Sequence, residues 1–163
     1  MSIDVQEFKN IMSHWATGIS IVTAAKDNQL YGLTANSFTS VSIDPPTVSV
    51  NVAKRLEACA IIQETRHYAV SILTEKQIEI AKIFAGMIHK EDRFEGLNYL
   101  SDQHNCPIIP DSFGWLGCEV IHEIDLGSNI LFIGKVLEGN LDIIDSDPLL
   151  YHHRKWGTFK SVE

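Results

Sequence analysis

The chain has 163 residues, with 13 basic against 21 acidic side chains and a formal net charge of −8, a length that predicts one domain over residues 1–163 with a core large enough to need no disulfide or metal staple. That acidic balance excludes nucleic acid and anionic membrane as main partners, because neutralising phosphate takes clustered Lys and Arg. No apolar run reaches the roughly 18 residues of a membrane span, and Met1-Ser2-Ile3-Asp4 lacks a basic-then-apolar leader, so a soluble cytoplasmic protein is expected.

Asp4 and Glu7 have the spacing of a capping box, and Val5, Phe8, Met12 and Trp15 then recur at helical spacing until Gly18 breaks the pattern. Ile19 to Thr23 is β-branched and predicts a strand. Lys26-Asp27-Asn28-Gln29 reads as a turn into a second strand, Tyr31 to Ala35. Val41 to Ile43 and Val48 to Val52 alternate on either side of Asp44-Pro45-Pro46, which predicts a sheet with one face in the core and the other wet or covered by something polar. A short helix is expected over Leu56 to Gln63, then a strand over Tyr68 to Leu73. Thr74 with Gln77 makes a second capping box, opening a helix that carries Ile78, Ala81 and Phe84 and that Gly86 can end. Residues 87–112, with Pro107 and Pro110, form a connection long enough to be functional or partly disordered. Trp115 to Leu126 and Asn129 to Val136 flank Gly127-Ser128 as a hairpin, and Leu141-Asp142-Ile143-Ile144 is a last short strand. About seven strands with three inserted helices favour a mainly β, mostly antiparallel barrel over a doubly wound sheet.

Several signatures are missing. There is no GxGxxG, GxxxxGK[ST], HExxH or GxSxG, so no glycine-rich phosphate cradle, zincin helix or nucleophile elbow is expected. Cys59, Cys106 and Cys118 are odd in number and form no CxxC, which speaks against a zinc knuckle or disulfide framework. Cys118, in an alternating strand, reads as a small core residue. His152 and His153 are adjacent, and neighbours on a strand point to opposite faces, so no metal site is expected. The unusual stretch is Gly32 to Pro46. Thr34, Asn36, Ser37, Thr39 and Ser40 put short donors and acceptors on a backbone that a flat ligand can approach, although the same composition suits an ordinary Ser/Thr-rich turn.

Trp15-Ala16-Thr17-Gly18-Ile19-Ser20-Ile21-Val22-Thr23, Gly32 to Phe38 and Asp44-Pro45-Pro46 are followed in order by Tyr68 to Leu73, Gln77 with Ala81 and Phe84-Ala85-Gly86, Asp92-Arg93-Phe94, Ile133-Gly134-Lys135-Val136 and Asp147 to Tyr151. This ordered set resembles the flavin reductase-like family of FMN-binding split barrels over nearly the whole chain. The resemblance implies a homodimeric, Greek-key-like split β-barrel with a few short helices, holding FMN or FAD near the subunit interface. It places Thr34, Ala35, Asn36, Ser37, Phe38 and Ser40 along the isoalloxazine ring, whose N5 and O4 need donors. The phosphate falls at the turn of Ala53, Lys54 and Arg55, where Arg55 can bind bidentately at a helix start; two solvated charges are the plainer reading of that turn. Phe84, Ala85 and Arg154 complete the implied cofactor set.

Hydride transfer needs positioning rather than a protein nucleophile, so no catalytic side chain is expected. Asn129, His152 and Arg93 are the candidate nicotinamide contacts, with NADH or NADPH as donor. Many family members carry Gly-Asp-His where this chain has Gly127-Ser128-Asn129; the amide can still donate, but the imidazole is gone. The implied activity is NAD(P)H-dependent flavin reduction, with the reduced flavin passed to a partner monooxygenase or a small acceptor. The alternative is a flavoredoxin-like carrier that retains FMN and is reduced by a redox-protein partner, to which the acidic charge suits docking. Replacing both Lys54 and Arg55 with alanine should sharply weaken flavin binding; an unchanged dissociation constant would refute the phosphate assignment.

Overall fold

A computed structural model describes residues 2–143 and 145–162. Asp4 caps α1 (Val5–Ser13), its Oδ1 accepting from the amides of Gln6 at 2.9 Å and Glu7 at 3.1 Å. The apolar stripe of α1 does not enter the core: Val5, Phe8, Ile11, Met12 and Trp15 are all exposed.

The chain continues as β1 (Thr17–Gly18), β2 (Ser20–Lys26), β3 (Gln29–Ala35), β4 (Thr39–Ser42), β5 (Thr47–Ala53), α2 (Glu57–Thr65) and β6 (His67–Ile72). A 3₁₀ turn (Glu75–Gln77) leads into α3 (Ile78–Phe84). Then come β7 (Leu100–Ser101), β8 (Pro107–Ile108), β9 (Gly114–Asp125), β10 (Asn129–Leu141), β11 (Leu150–His152) and β12 (Lys155–Gly157). The expected capping box at the 3₁₀ turn forms, with the Thr74 amide donating to Gln77 Oε1 at 3.1 Å. Gly86, at φ +74°, takes the left-handed turn that ends the α3 segment. Asp27 and Asn28 both have positive φ, as a two-residue hairpin between β2 and β3 requires.

The main sheet has the order β3-β2-β6-β9-β10-β5-β4, with every pairing antiparallel. It is rolled, because Ser37, just past one edge strand, hydrogen-bonds Asn51 on the strand beside the other edge. Inside the roll lie Val22, Val50, Val52, Tyr68, Val70, Cys118 and Phe132, closed over by Cys59 and Ile62 of α2. A second apolar cluster of Ile19, Ile21, Leu73, Ala81, Phe84, Phe94 and Ile109 fills the space under α3. Successive residues Ile21 and Val22 therefore enter different cores, so β2 is buried on both faces. The alternation of Val48 to Val52 does not leave a wet face either, because Thr47 and Ser49 of β5 are buried along with Val48 and Val50.

Two expectations are corrected. The strand expected to end at Val136 runs on to Leu141, where Leu141 pairs with Gly114. A Cβ on Gly139 would lie 2.6 Å from the Trp115 carbonyl; its absence allows the close pairing that absorbs Leu141. Asp142 and Ile143 leave the strand, both amides donating to the Phe113 carbonyl, and Ile144 lies outside the described residues. The reading of His152 and His153 as strand neighbours also fails. β11 ends at His152, and His153 and Arg154 turn with positive φ, which brings the His153 ring edge-on to His14 at 4.4 Å.

The long connection is pinned to the barrel: Thr23 Oγ1 donates to the Pro107 carbonyl at 2.5 Å and the Ile109 amide to Ser71 Oγ at 3.0 Å. Among the described residues no helix is long and apolar enough to cross a membrane.

Gly134 shows how tightly the inner core is filled. It sits at a bulge in β10, and a Cβ there would run into the ring of Tyr68, whose buried hydroxyl has no partner among the described residues. Burial pushes that phenol's pKa up. Gly134→Ala should cost about 1–3 kcal/mol in urea unfolding, as overpacking does, and Tyr68→Phe in the same chain should recover part of it.

Candidate functional site

Three stretches far apart in sequence meet at the seam of the rolled sheet. The first is the turn after β3. Ser37 Oγ donates to the Asn51 carbonyl at 3.0 Å and accepts from the Asn51 amide at 3.1 Å. Asn36 and Ser40 are exposed, Ser37 and Phe38 half-buried, and Ala35 buried. The amides of Asn36, Ser37 and Phe38 find no main-chain acceptor among the described residues, so this turn presents donors that the sheet does not consume.

The second stretch is the turn from β5 into α2. Ala53 is half-buried in register with Asn129 on β10. Lys54 is engaged: its Nζ reaches both oxygens of Asp125, at 2.6 and 2.7 Å, and its amide donates to the Ser128 carbonyl at 3.0 Å. The ammonium of Lys54 and the Gly127 amide together hold the Asp125 carboxyl below the ordinary carboxylate range. Arg55 is exposed and makes no ion pair among the described residues. Of the two cations expected at this turn, Arg55 is the uncommitted one.

The third stretch is the end of α3 and the loop beyond it. Thr34 Oγ1 donates to the Ala81 carbonyl at 2.6 Å, so this hydroxyl holds β3 to α3 and is spent there. Phe84 is buried, its ring edge-on to Phe94 at 5.0 Å and lying where a Cβ on Gly32 would be. Ala85 is exposed just after it. Arg93 Nη1 donates to the Gly32 carbonyl at 3.1 Å and more weakly to that of Phe84. Arg55 and Arg93 line one cleft of about 440 Å³ with Tyr31, Gly32, Leu56 and His89. Asn129 accepts from the Ser128 hydroxyl at 2.9 Å. His152 and Arg154 lie apart from that cleft, on the β11–β12 hairpin, where Arg154 donates to Asn10 of α1 at 3.2 Å. The donor set of free amides and an unpaired guanidinium fits a flat polar ring carrying a phosphate.

A family model described as flavin reductase like domain matches residues 12–160. The chain belongs to the flavin reductase-like family. It is 32% identical over 157 residues to the reductase component of a 4-nitrophenol and 4-nitrocatechol monooxygenase from Rhodococcus opacus, covering 96% of this chain and 82% of that one. It is also 32% identical to an NADH-dependent flavin reductase from a Rhodococcus species, over 95% of this chain and 85% of the relative. A flavin reductase solved in its native state superposes with a TM-score of 0.89 at 30% identity, covering 98% of this chain and all of the other. The split-barrel expectation and the mainly β architecture agree with these relatives.

Two members of the site were not singled out from sequence. Asn51 looks like any polar residue of an alternating strand, and Asp125 stands 71 positions from Lys54, beyond the reach of any local pattern. The family's flavin gives their arrangement a test. Arg55→Ala should weaken flavin binding about tenfold, the scale of one charge-assisted hydrogen bond. Lys54→Ala should cost no more than about threefold, as for an exposed pair. Fluorescence-quenching titration separates the two; if Asp125→Asn tightens binding instead, Lys54 and not Arg55 holds the phosphate.

Proposed function

We propose that the chain is an NAD(P)H-dependent flavin reductase that binds FMN or FAD along the turn from Ala35 to Ser40 and passes the reduced flavin to a partner monooxygenase or a small acceptor. The observation that carries this reading is the Ser37–Asn51 clasp, which ties the turn with the free amides of Asn36 to Phe38 to the strand that leads into the turn of Arg55. The printed identities of the relatives, a monooxygenase reductase component and an NADH-dependent flavin reductase, support it.

The bound flavin supplies a ring atom that accepts hydride from the reduced nicotinamide. The chain's part is positioning. The amides of Asn36, Ser37 and Phe38 orient the polar edge of the ring, and Arg55 takes the phosphate. Asn129, held by the Ser128 hydroxyl at 2.9 Å, keeps its amide NH₂ as a donor beside Ala53 for the nicotinamide. No side chain has to move a proton in this scheme.

The working unit in this reading is a homodimer. Its support is the exposed stripe of Phe8, Met12 and Trp15 on α1 together with Val41 and Ile43 by the edge strand β4, apolar surface that a second chain would cover. The 163 residues form one domain, and the three free, buried thiols of Cys59, Cys106 and Cys118 suit a reducing compartment such as the cytoplasm.

Mixed anaerobically with flavin and NADH or NADPH, the protein should bleach the flavin absorbance well above the rate of a protein-free control. A protein that retains flavin through gel filtration but is bleached by neither nucleotide would be the electron carrier instead.

A further inference from the structure

The outer side of α3 carries a groove that plays no part in the flavin site. Its volume is about 830 Å³, and it runs between the 3₁₀ turn with α3 on one side and Leu97, the Pro110–Asp111 corner and Ile143 on the other. Ile80, Ile83, Leu97 and Ile143 are half-buried along it and give it an aliphatic floor. Ile80, Ile83 and Leu97 are also the outer layer of the cluster whose inner members are Ala81, Phe84 and Phe94. Gln77 joins the two walls, its Nε2 donating to the Pro110 carbonyl at 2.7 Å while its Oε1 accepts from the Thr74 amide at 3.1 Å. The groove is therefore part of the packed frame.

Its rim is acidic. Glu79 and Asp111 line it, and Asp142, Asp145 and Asp147 are chain neighbours of its lining residues Ile143 and Ser146. All five carboxylates are exposed, and none makes an ion pair among the described residues. Lys76 is the one cation that lines the groove among the described residues. An aliphatic floor edged by unpaired carboxylates fits an amphipathic segment with aliphatic side chains on one face and Lys or Arg beside them. A second copy of this chain is a poor occupant, because the field of a body with net charge −8 opposes its approach to an acidic rim.

The groove lies next to the cofactor wall. The Ala81 carbonyl of α3 takes the Thr34 hydroxyl at 2.6 Å, and the Phe84 ring fills the space at Gly32. So α3, about 10 Å across with its side chains, stands between the groove and the strand that leads into the turn of Asn36 to Phe38. We propose that this groove is the docking site for a basic amphipathic segment of the protein that takes up the reduced flavin. The proposal rests on the flavin reductase reading for the identity of that protein; the chemistry of the groove stands apart from it.

The probe is a synthetic helical peptide with leucine at positions i, i+3, i+4 and i+7 and lysine elsewhere, beside a counterpart in which every lysine is glutamate. Anisotropy of the labelled peptides is titrated with the wild type, Leu97→Ala, a groove variant and a control, each checked for folding by circular dichroism. The groove variant is Glu79→Lys/Asp111→Asn, in which asparagine suits the positive φ of position 111. The control, Glu119→Lys/Asp27→Asn, makes the same charge change at exposed positions elsewhere. The lysine peptide should bind the wild type and the control alike and lose about tenfold in affinity in the groove variant, the scale of one reversed and one deleted rim charge. Leu97→Ala should cost about fivefold, as for part of one buried aliphatic side chain, and the glutamate peptide should not bind. Absence of lysine-peptide binding, equal losses in the groove variant and the control, or equal binding of the glutamate peptide overturns the proposal. A sedimentation shift confined to the groove variant would give the groove to a second copy and overturn it as well. Anaerobic bleaching of flavin by NADH, followed in the same proteins, should be equal in all of them. Its absence from the wild type would remove the flavin reductase reading, while the peptide titrations still decide the groove.

Discussion

Ser37 joins the two margins of the rolled sheet through one hydroxyl, which donates to the carbonyl of Asn51 and accepts from its amide. A short polar side chain answering both main-chain groups of a distant residue acts as an extra rung of ladder where the strands themselves have parted. The wall of the site depends on it. On one side of this rung lie the spare amides of the turn after β3, and on the other the turn that carries Arg55. A longer or apolar side chain at position 37 would leave Asn51 without its partner and let the seam open.

The rung holds because the surrounding strands are buried on both faces. β2 sends Ile21 into the cluster under α3 and Val22 into the barrel, so neither face can slide without opening a void. Gly32 extends the same logic to the ligand side. Without a Cβ it admits the Phe84 ring, and the Thr34 hydroxyl ties the same strand to the Ala81 carbonyl. Some residues that look like ligand contacts, Thr34 and Phe84 among them, are therefore consumed as structure. That division suits a hydride-transfer protein, because a rigid frame controls distance better than mobile side chains do.

Electrostatics show a second division of labour. The chain carries a net charge of −8, yet Arg55 has no acidic partner among the described residues, while the neighbouring Lys54 is committed to Asp125. Pairing one cation fixes the β9–β10 hairpin against the turn, and the other is left to face a cleft that also carries Glu57, Glu91 and Asp92.

Much of this was legible in the chain itself. The β-branched run of β2, the turn residues Asp27 and Asn28 and the caps at Asp4 and Thr74 are local signals with local causes, and each appears as its pattern says. The ordered motifs from Trp15 to Tyr151 carried the family, because a shared fold preserves the residues that touch in it. Local pattern could not say that Leu141 belongs to β10, since that depends on the space left by Gly114 and Gly139 where β9 and β10 pair closely. It could not say that the stripe on α1 faces outward, since periodicity reports amphipathicity and not what covers the apolar face. Nor could it separate Lys54 from Arg55, two adjacent cations that differ only in whether a carboxylate 71 residues away arrives beside them. What the sequence by itself determined was the type and order of the elements and the family; which polar groups remain free for a ligand was decided by the tertiary structure alone, because hydrogen bonds between residues distant in the chain exist only once the sheet has rolled.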